Sequence, residues 1–294
     1  MNRLVMHILR ELPKHGLKLL LTLLVGCFFA ATLVRVAPGF GVDEEQLDIR
    51  LSTQSVESIR NSQAAKESLP AFYADFATRL LHGDLGTSRT LQQPVKQLIS
   101  DRLPETLKSV SLALIFGWTL GISLAMISVA ARSRAADAFF SFSCGVLLCI
   151  PAALWALLFL LARAPERLIL GLIVFPKVYN FSRNLLLRGA NDLHVLSAHA
   201  RGLSTVRILA WHIFPPAAPQ LLAVLGISVS ITLAAAVPVE ALCDLPGIGQ
   251  LAWKAALGRD LYLLTTLSIL VTAMTLLANS VCELLGSMFH ARPA

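Results

Sequence analysis

Apolar residues come in long unbroken runs along this chain, longer than the core helices of a soluble domain need. Leu17–Val34 holds a single charge, Lys18, and Ser109–Ala131, Ala138–Ala162, Ile213–Val239 and Leu261–Cys282 hold none. A run of about 18 or more apolar residues is long enough to cross the roughly 30 Å hydrocarbon core of a bilayer as a helix. Leu168–Leu187 is a sixth, weaker run, interrupted by Lys177 and Arg183. The pattern predicts an all-α, polytopic membrane protein with six transmembrane helices.

The polar positions between the runs set the expected topology. Lys and Arg favour cytoplasmic flanks, whereas long loops cross largely regardless of their charge. Arg3, Arg10, Lys14 and Lys18 precede the first run, and Arg132 and Arg134 follow the second. Both termini are therefore expected in the cytoplasm. Residues 1–37 read as a cytoplasmic N-terminus and first helix. Residues 38–104 read as an external segment, with apolar positions at helical spacing over Leu69–Leu81. Residues 105–294 read as a core of five helices with a cytoplasmic loop at 188–212. Only Arg163–Arg167 joins the third span to the fourth. A secretory signal also begins with basic residues and an apolar run. Here Arg35 stands where a small residue is wanted before cleavage, so an uncleaved first helix is expected.

Composition agrees with this assignment. Charged residues make up 15% of the chain, against about 25% in soluble domains. The net charge of +7 has no basic stripe with interleaved aromatics, so membrane flanks account for it and no nucleic acid is expected. The cysteines Cys27, Cys144, Cys149, Cys243 and Cys282 form no CxxC pair, which argues against a zinc site or a disulfide framework. Neither HExxH nor GxSxG occurs. His194 and His199 lie about 140° apart around a helix and do not converge. No catalytic residue, metal or cofactor is expected. Pro151, Pro215, Pro216, Pro219 and Pro238 fall in apolar segments, where each removes a backbone donor. Lys177 would cost roughly 2.5–3.5 kcal/mol at a bilayer centre, so it is expected to face a cavity or reach for the interface.

Three segments carry more specific information. Gly83-Asp84-Leu85-Gly86-Thr87-Ser88 precedes Pro94-Val95 and Leu103-Pro104-Glu105-Thr106-Leu107. Gly83 and Gly86 allow a tight turn, and Asp84 can accept from nearby amides. Ser197-Ala198-His199-Ala200-Arg201-Gly202-Leu203, with Arg207 and His212 following, reads as a short helix. Asn191 or Asp192 can cap it, Gly202 can end it, and the alanines leave room for a partner. Glu240-Ala241-Leu242-Cys243-Asp244-Leu245-Pro246-Gly247-Ile248-Gly249 is a sharp turn, followed by Arg259-Asp260-Leu261-Tyr262.

Together these segments resemble the permease subunits of the dipeptide, oligopeptide and nickel family of binding-protein-dependent ABC importers. The family has a GDLG-S run before an R-x-x-x-T-L run, a T-A-R-A-K-G-L cytoplasmic loop, and E-x-x-F-x-x-P-G-L-G followed by R-D-Y-P. The resemblance spans roughly residues 69–285 and implies a type I ABC importer permease fold. It implies that Ser197, Ala198, His199, Ala200, Arg201, Gly202, Leu203 and Arg207, within residues 193–207, meet an ATPase. It makes Glu240, Pro246, Gly247 and Gly249 candidates for the translocation path or external gate, beside Lys177. It leaves Gly83, Asp84 and Gly86 as a structural turn; Asp260 is a candidate for a substrate-path or inter-subunit contact, against which a charged rim residue of a rigid loop is the preferred reading. Arg183 falls at the place of a family arginine where the fourth helix emerges.

The implied partners are a second homologous permease subunit, two ATP-binding cassette ATPases, an external solute-binding protein and the inner-membrane bilayer. No G-x-x-x-x-G-K-[ST] phosphate loop occurs in this chain, as expected if separate ATPases supply the energy. The implied cargo is a small peptide or a similar small solute. Four features depart from the family, one being that the Pro38-Gly39 turn after the first helix lacks the usual acidic residue and second proline. The usual long external loop between the third and fourth helices is missing, Leu193-His194 replaces an acidic start to the cytoplasmic loop, and Phe214-Pro215-Pro216-Ala217 replaces an R-N-A-like run. The alternatives are a secondary transporter or channel subunit, for which no internal repeat is visible, and an intramembrane enzyme.

Overall fold

The computed structural model describes residues 82–131, 133–163 and 167–290, with isolated positions between Leu21 and Leu80. Apart from those positions, the run Leu17–Val34 and the external segment before His82 lie outside the described residues. Two compact units emerge. One contains the described residues of Arg102–Leu251 and those from Val271 to His290; the other contains the described residues between Thr22 and Asp101 and Ala252–Leu270.

Among the described residues the ordered elements are helical. They are α1 (Val95–Ala131), α2 (Arg134–Cys149), α3 (Ala152–Leu161), α4 (Arg167–Ala190), α5 (Leu193–Ala200), α6 (Thr205–Ile208), a π-helical turn (Leu209–Ile213), α7 (Phe214–Leu242), α8 (Ile248–Leu257) and α9 (Leu261–His290). Among the described residues three stretches are long and apolar enough to cross a membrane, and the bent pair α2–α3 makes a fourth if it counts as one span. Helix α4 falls outside that count, consistent with its Arg167, Lys177, Arg183 and Arg188.

Helix α1 starts at Val95, well ahead of the apolar run that predicts a span from about 106. Its first turns are polar overall, yet Val95 and Leu98 are buried, so one face is already committed to packing. Pro104 lies inside the helix. It removes only the donor that would have reached the Ser100 carbonyl.

The expected straight span Ala138–Ala162 is broken. Helices α2 and α3 meet at 94° across Ile150-Pro151. Proline disfavours helical backbone in the residue before it, and Ile150 is extended at φ −82°, ψ 120°. Pro151 then caps α3, with its carbonyl accepting from the Leu154 and Trp155 amides. At about 1.5 Å per residue, neither piece alone matches a bilayer core.

Small residues set the helix packing. Gly117 and Gly121, one turn apart on α1, face α4. A Cβ on Gly121 would lie 2.9 Å from Val178 Cβ, and one on Gly117 would lie 3.1 Å from Val174 Cβ. Gly171 of α4 returns the contact against Phe116. Such glycine spacing lets membrane helices approach closely, where association relies on van der Waals packing. Gly121→Ile should cost about 1–3 kcal/mol by overpacking, read as a lower unfolding temperature in detergent. An unchanged temperature would mean that the α1–α4 contact does not hold the protein together.

Two apolar clusters complete the first unit. Ala113, Ala156, Ile169, Leu170, Ala235, Ala236, Val239 and Cys243 join α1, α3, α4 and α7. The other cluster gathers Ala125, Cys144, Phe175, Tyr179, Leu186, Val195, Ala198, Ile208, Leu209 and Ile213. It thereby binds the short loop helix α5 to the long helices.

Candidate functional site

The loop between α4 and α7 folds into α5, α6 and the π-helical turn. Asp192 occupies the N-cap position of α5 without a side-chain bond to the helix; its carbonyl accepts from the Val195 and Leu196 amides. Gly202 ends the helix at φ +72°. Its amide donates to the His199 carbonyl at 2.9 Å, and the Leu203 amide donates to the Ala198 carbonyl at 3.4 Å. That pair of bonds is a Schellman close. A Cβ on Gly202 would meet nothing within 4 Å, so its requirement is conformational rather than spatial.

The helix has two distinct faces. Val195 and Ala198 turn into the bundle, so Ala198 spends its small size on its own chain. Ser197, Ala200, Arg201, Gly202 and Arg207 are exposed, while His199 and Leu203 are half-buried. Large apolar side chains of the loop are exposed as well: Leu193 and Leu196 on α5 are 84% and 67% exposed, Val206 on α6 69% and Trp211 in the π-helical turn 75%.

A polar network ties the neighbouring helices. Arg183 of α4 grips Asp137 of α2 with two bonds, Nε to Oδ1 and a terminal nitrogen to Oδ2. Ser128 Oγ donates to the same Asp137 Oδ1 at 2.8 Å, and Tyr179 Oη donates to Ser128 Oγ at 3.4 Å. The resemblance picks out Arg183, but nothing in the sequence picks out Asp137 as its partner. Lys177 sits half-buried on α4, one residue from the fully buried Val178.

At the far end of α7, roughly 40 Å from the π-helical turn by helix rise, Glu240 is 1% exposed. Its Oε1 accepts from Thr106 Oγ1 at 2.9 Å, and its Oε2 accepts from the Gly249 amide at 2.6 Å. Thr106 Oγ1 in turn accepts from the Ile248 amide at 2.8 Å. The turn needs its glycines. A Cβ on Gly249 would lie 2.6 Å from Val237 Cα, and one on Gly247 would overlap the Glu240 carboxylate. Pro246 is exposed beside them. Asp244, at φ 52°, closes α7 and accepts from Gln250 Nε2. Arg102 donates to the Gln250 Oε1 at 3.0 Å.

The second unit holds its own buried carboxylate. Asp260, read from sequence as a rim charge, is 1% exposed. It precedes α9, and its Oδ1 accepts from the Leu263 amide at 3.1 Å as an N-cap does. Its Oδ2 accepts from Ser88 Oγ at 2.6 Å and from the Thr90 amide at 3.2 Å. The preceding turn holds Gly83 at φ 72° and Gly86 at φ 71°. Asp84 Oδ1 accepts from the Gly86 amide at 2.9 Å. Ser88 and Asp260 are 172 residues apart, so no local sequence signal joins them. Among the described residues no group of His, Cys, Asp or Glu is arranged to hold a metal.

Long apolar helices, a surface helix rooted in their common core and a glycine-built turn at the far end define an all-helical, multi-pass integral membrane protein. Residues 117–293 match the family described as binding-protein-dependent transport system inner membrane component. The chain belongs to that family and is a permease subunit of an ABC importer of the inner membrane. It is 24% identical over 292 residues to a probable peptide ABC transporter permease of Sinorhizobium fredii, covering 90% of this chain and 92% of the relative. It is 25% identical over 309 residues to the oligopeptide transport system permease of Haemophilus influenzae, covering 97% and 99%. The nickel import system permease of Staphylococcus aureus is 23% identical over 296 residues, covering 95% and 90%.

Proposed function

We propose that this permease forms a path for small peptides, or a similar small solute, together with a second homologous permease subunit. An external solute-binding protein delivers the cargo, and two ATPase subunits grip residues 193–207 from the cytoplasm. Six spans with both termini cytoplasmic fit this arrangement. The names of the relatives support the cargo class, with nickel complexes as the other member of that class. Lys177 faces the path, because a half-buried cation within a membrane helix usually meets a cavity. Glu240, Pro246, Gly247 and Gly249 fasten the external gate.

One observation carries the reading. Leu193 and Leu196 of α5, Val206 of α6 and Trp211 of the π-helical turn are exposed, while Val195 and Ala198 of α5 join the cluster that contains Tyr179 and Leu186 of α4. An exposed apolar patch of this kind marks a docking surface. Its root in the shared core would pass a partner's movement to the long helices. Nucleotide would then shift the balance between two states of the bundle, each favoured by its own ligand.

Co-expression with candidate ATPase subunits of the same importer tests the proposal. The wild-type chain should carry both through purification, and a thiol placed at Ser197 should react only with cytoplasmic reagents. Leu196→Asp should weaken ATPase capture about tenfold, or roughly 1.4 kcal/mol, through loss of a buried apolar contact. Labelling of Ser197→Cys from the external side would end the assignment.

A further inference from the structure

We propose that His194 is the pin that holds the loop helix α5 to the base of α7, supplying a hydrogen bond that Pro215-Pro216 removes from the helix. The inference rests on the coupling role proposed for this loop.

In an α-helix each carbonyl accepts from the amide four residues on. The donors for the Trp211 and His212 carbonyls would be residues 215 and 216, and both are proline, which has no N–H. At this point the chain widens into the π-helical turn Leu209–Ile213, closed by the Phe214 amide donating to the Leu209 carbonyl. His194, in the first turn of α5, places its Nε2 2.9 Å from the His212 carbonyl oxygen. A carbonyl can only accept, so Nε2 carries the hydrogen. The His212 imidazole is not the contact, and its buried Nδ1 has no hydrogen-bond partner. On the other side of the His194 ring, Nδ1 lies 4.0 Å from the Asp192 carboxylate, beyond hydrogen-bond range.

Apolar contacts also join α5 to this turn: Val195 and Ala198 share a cluster with Ile208, Leu209 and Ile213. Apolar burial is non-directional and tolerates sliding. The directional bond from His194 to the His212 carbonyl sets the register between the two elements. It does so at a π-helical turn, a place where helices commonly yield. His194 is thus a positioning residue: it keeps α5 and the foot of α7 moving as one piece.

Spin labels at Ala200→Cys and Gln220→Cys, in a background without other cysteines, test this in the importer assembled with its ATPases. Distances are read without nucleotide and after trapping with ATP and vanadate. With His194 present, the α5–α7 distance should stay narrow and unchanged between the two states. His194→Ala should broaden it and let it shift on trapping, and His194→Gln, which keeps a donor at similar reach, should restore it. Pro216→Ala gives the His212 carbonyl a donor from its own helix and should loosen the pair in the same direction. A His194→Ala distribution identical to wild type would overturn the pin. So would failure of glutamine to restore it, or loss of the ATPases from His194→Ala alone. A wild-type chain that retains no ATPase would instead defeat the coupling reading beneath it.

Discussion

Replacing Glu240 by alanine should sharply lower both the unfolding temperature and the yield of the folded permease. The carboxylate accepts from Thr106 Oγ1 and from the Gly249 amide in a site 1% exposed. Each group left buried without a partner costs about 1–3 kcal/mol, and bonds to a charged acceptor lie at the upper end of that range. Alanine also opens a cavity beside Gly247. The sum, roughly 3–6 kcal/mol, is a large fraction of the 5–15 kcal/mol that keeps a typical domain folded. Glutamine keeps the shape and one acceptor but turns an amide group toward another donor, so Glu240→Gln should fall between the two. Thermal unfolding in detergent, beside the yield of membrane-inserted protein, reads the order wild type, glutamine, alanine. A stable Glu240→Ala protein with only its transport lost would assign the residue to the solute path instead.

The second large effect is expected at Arg183 and Asp137. Their two-point contact is half-shielded, with side-chain exposures of 19% and 30%. Breaking a fully buried pair costs about 3–5 kcal/mol because the survivor stays charged and unpaired. Partial exposure lowers that to about 2 kcal/mol for Arg183→Leu. Asp137→Asn should cost less, since asparagine can still accept from Ser128. The double variant should be more stable than the sum of the singles implies, with a coupling of roughly 1–3 kcal/mol. Melting curves of the four proteins measure this cycle. Additive losses would show that the two side chains are neighbours without energetic dependence.

Much of this was legible in the chain itself, for stated reasons. Uncharged runs report lipid exposure directly, and glycines mark backbone that other residues rarely adopt, as Gly83, Gly86 and Gly202 do at positive φ. The loop helix could be placed because polar residues bracket it between two spans. Pro151 was visible, but a proline can kink a helix, cap one or end one, and which occurs depends on how the neighbours pack. Helix α1 began earlier than its apolar run because Val95 and Leu98 are buried on an otherwise polar stretch. Asp260 was misjudged as a rim charge because its partner Ser88 is remote in sequence, and burial of a carboxylate depends on donors that only the fold assembles. The close spacing of Gly117 and Gly121 was present to be read, but it gains meaning only once Val174 and Val178 are seen opposite.

Those glycine notches restrict the kinds of motion open to the protein. A valine seated in a notch opposes translation along the helix axis, because the next side chain up or down is too large to pass. Helices α1 and α4 therefore behave as a single plank. A transport cycle would tilt that plank whole and concentrate its bending at the plank's ends.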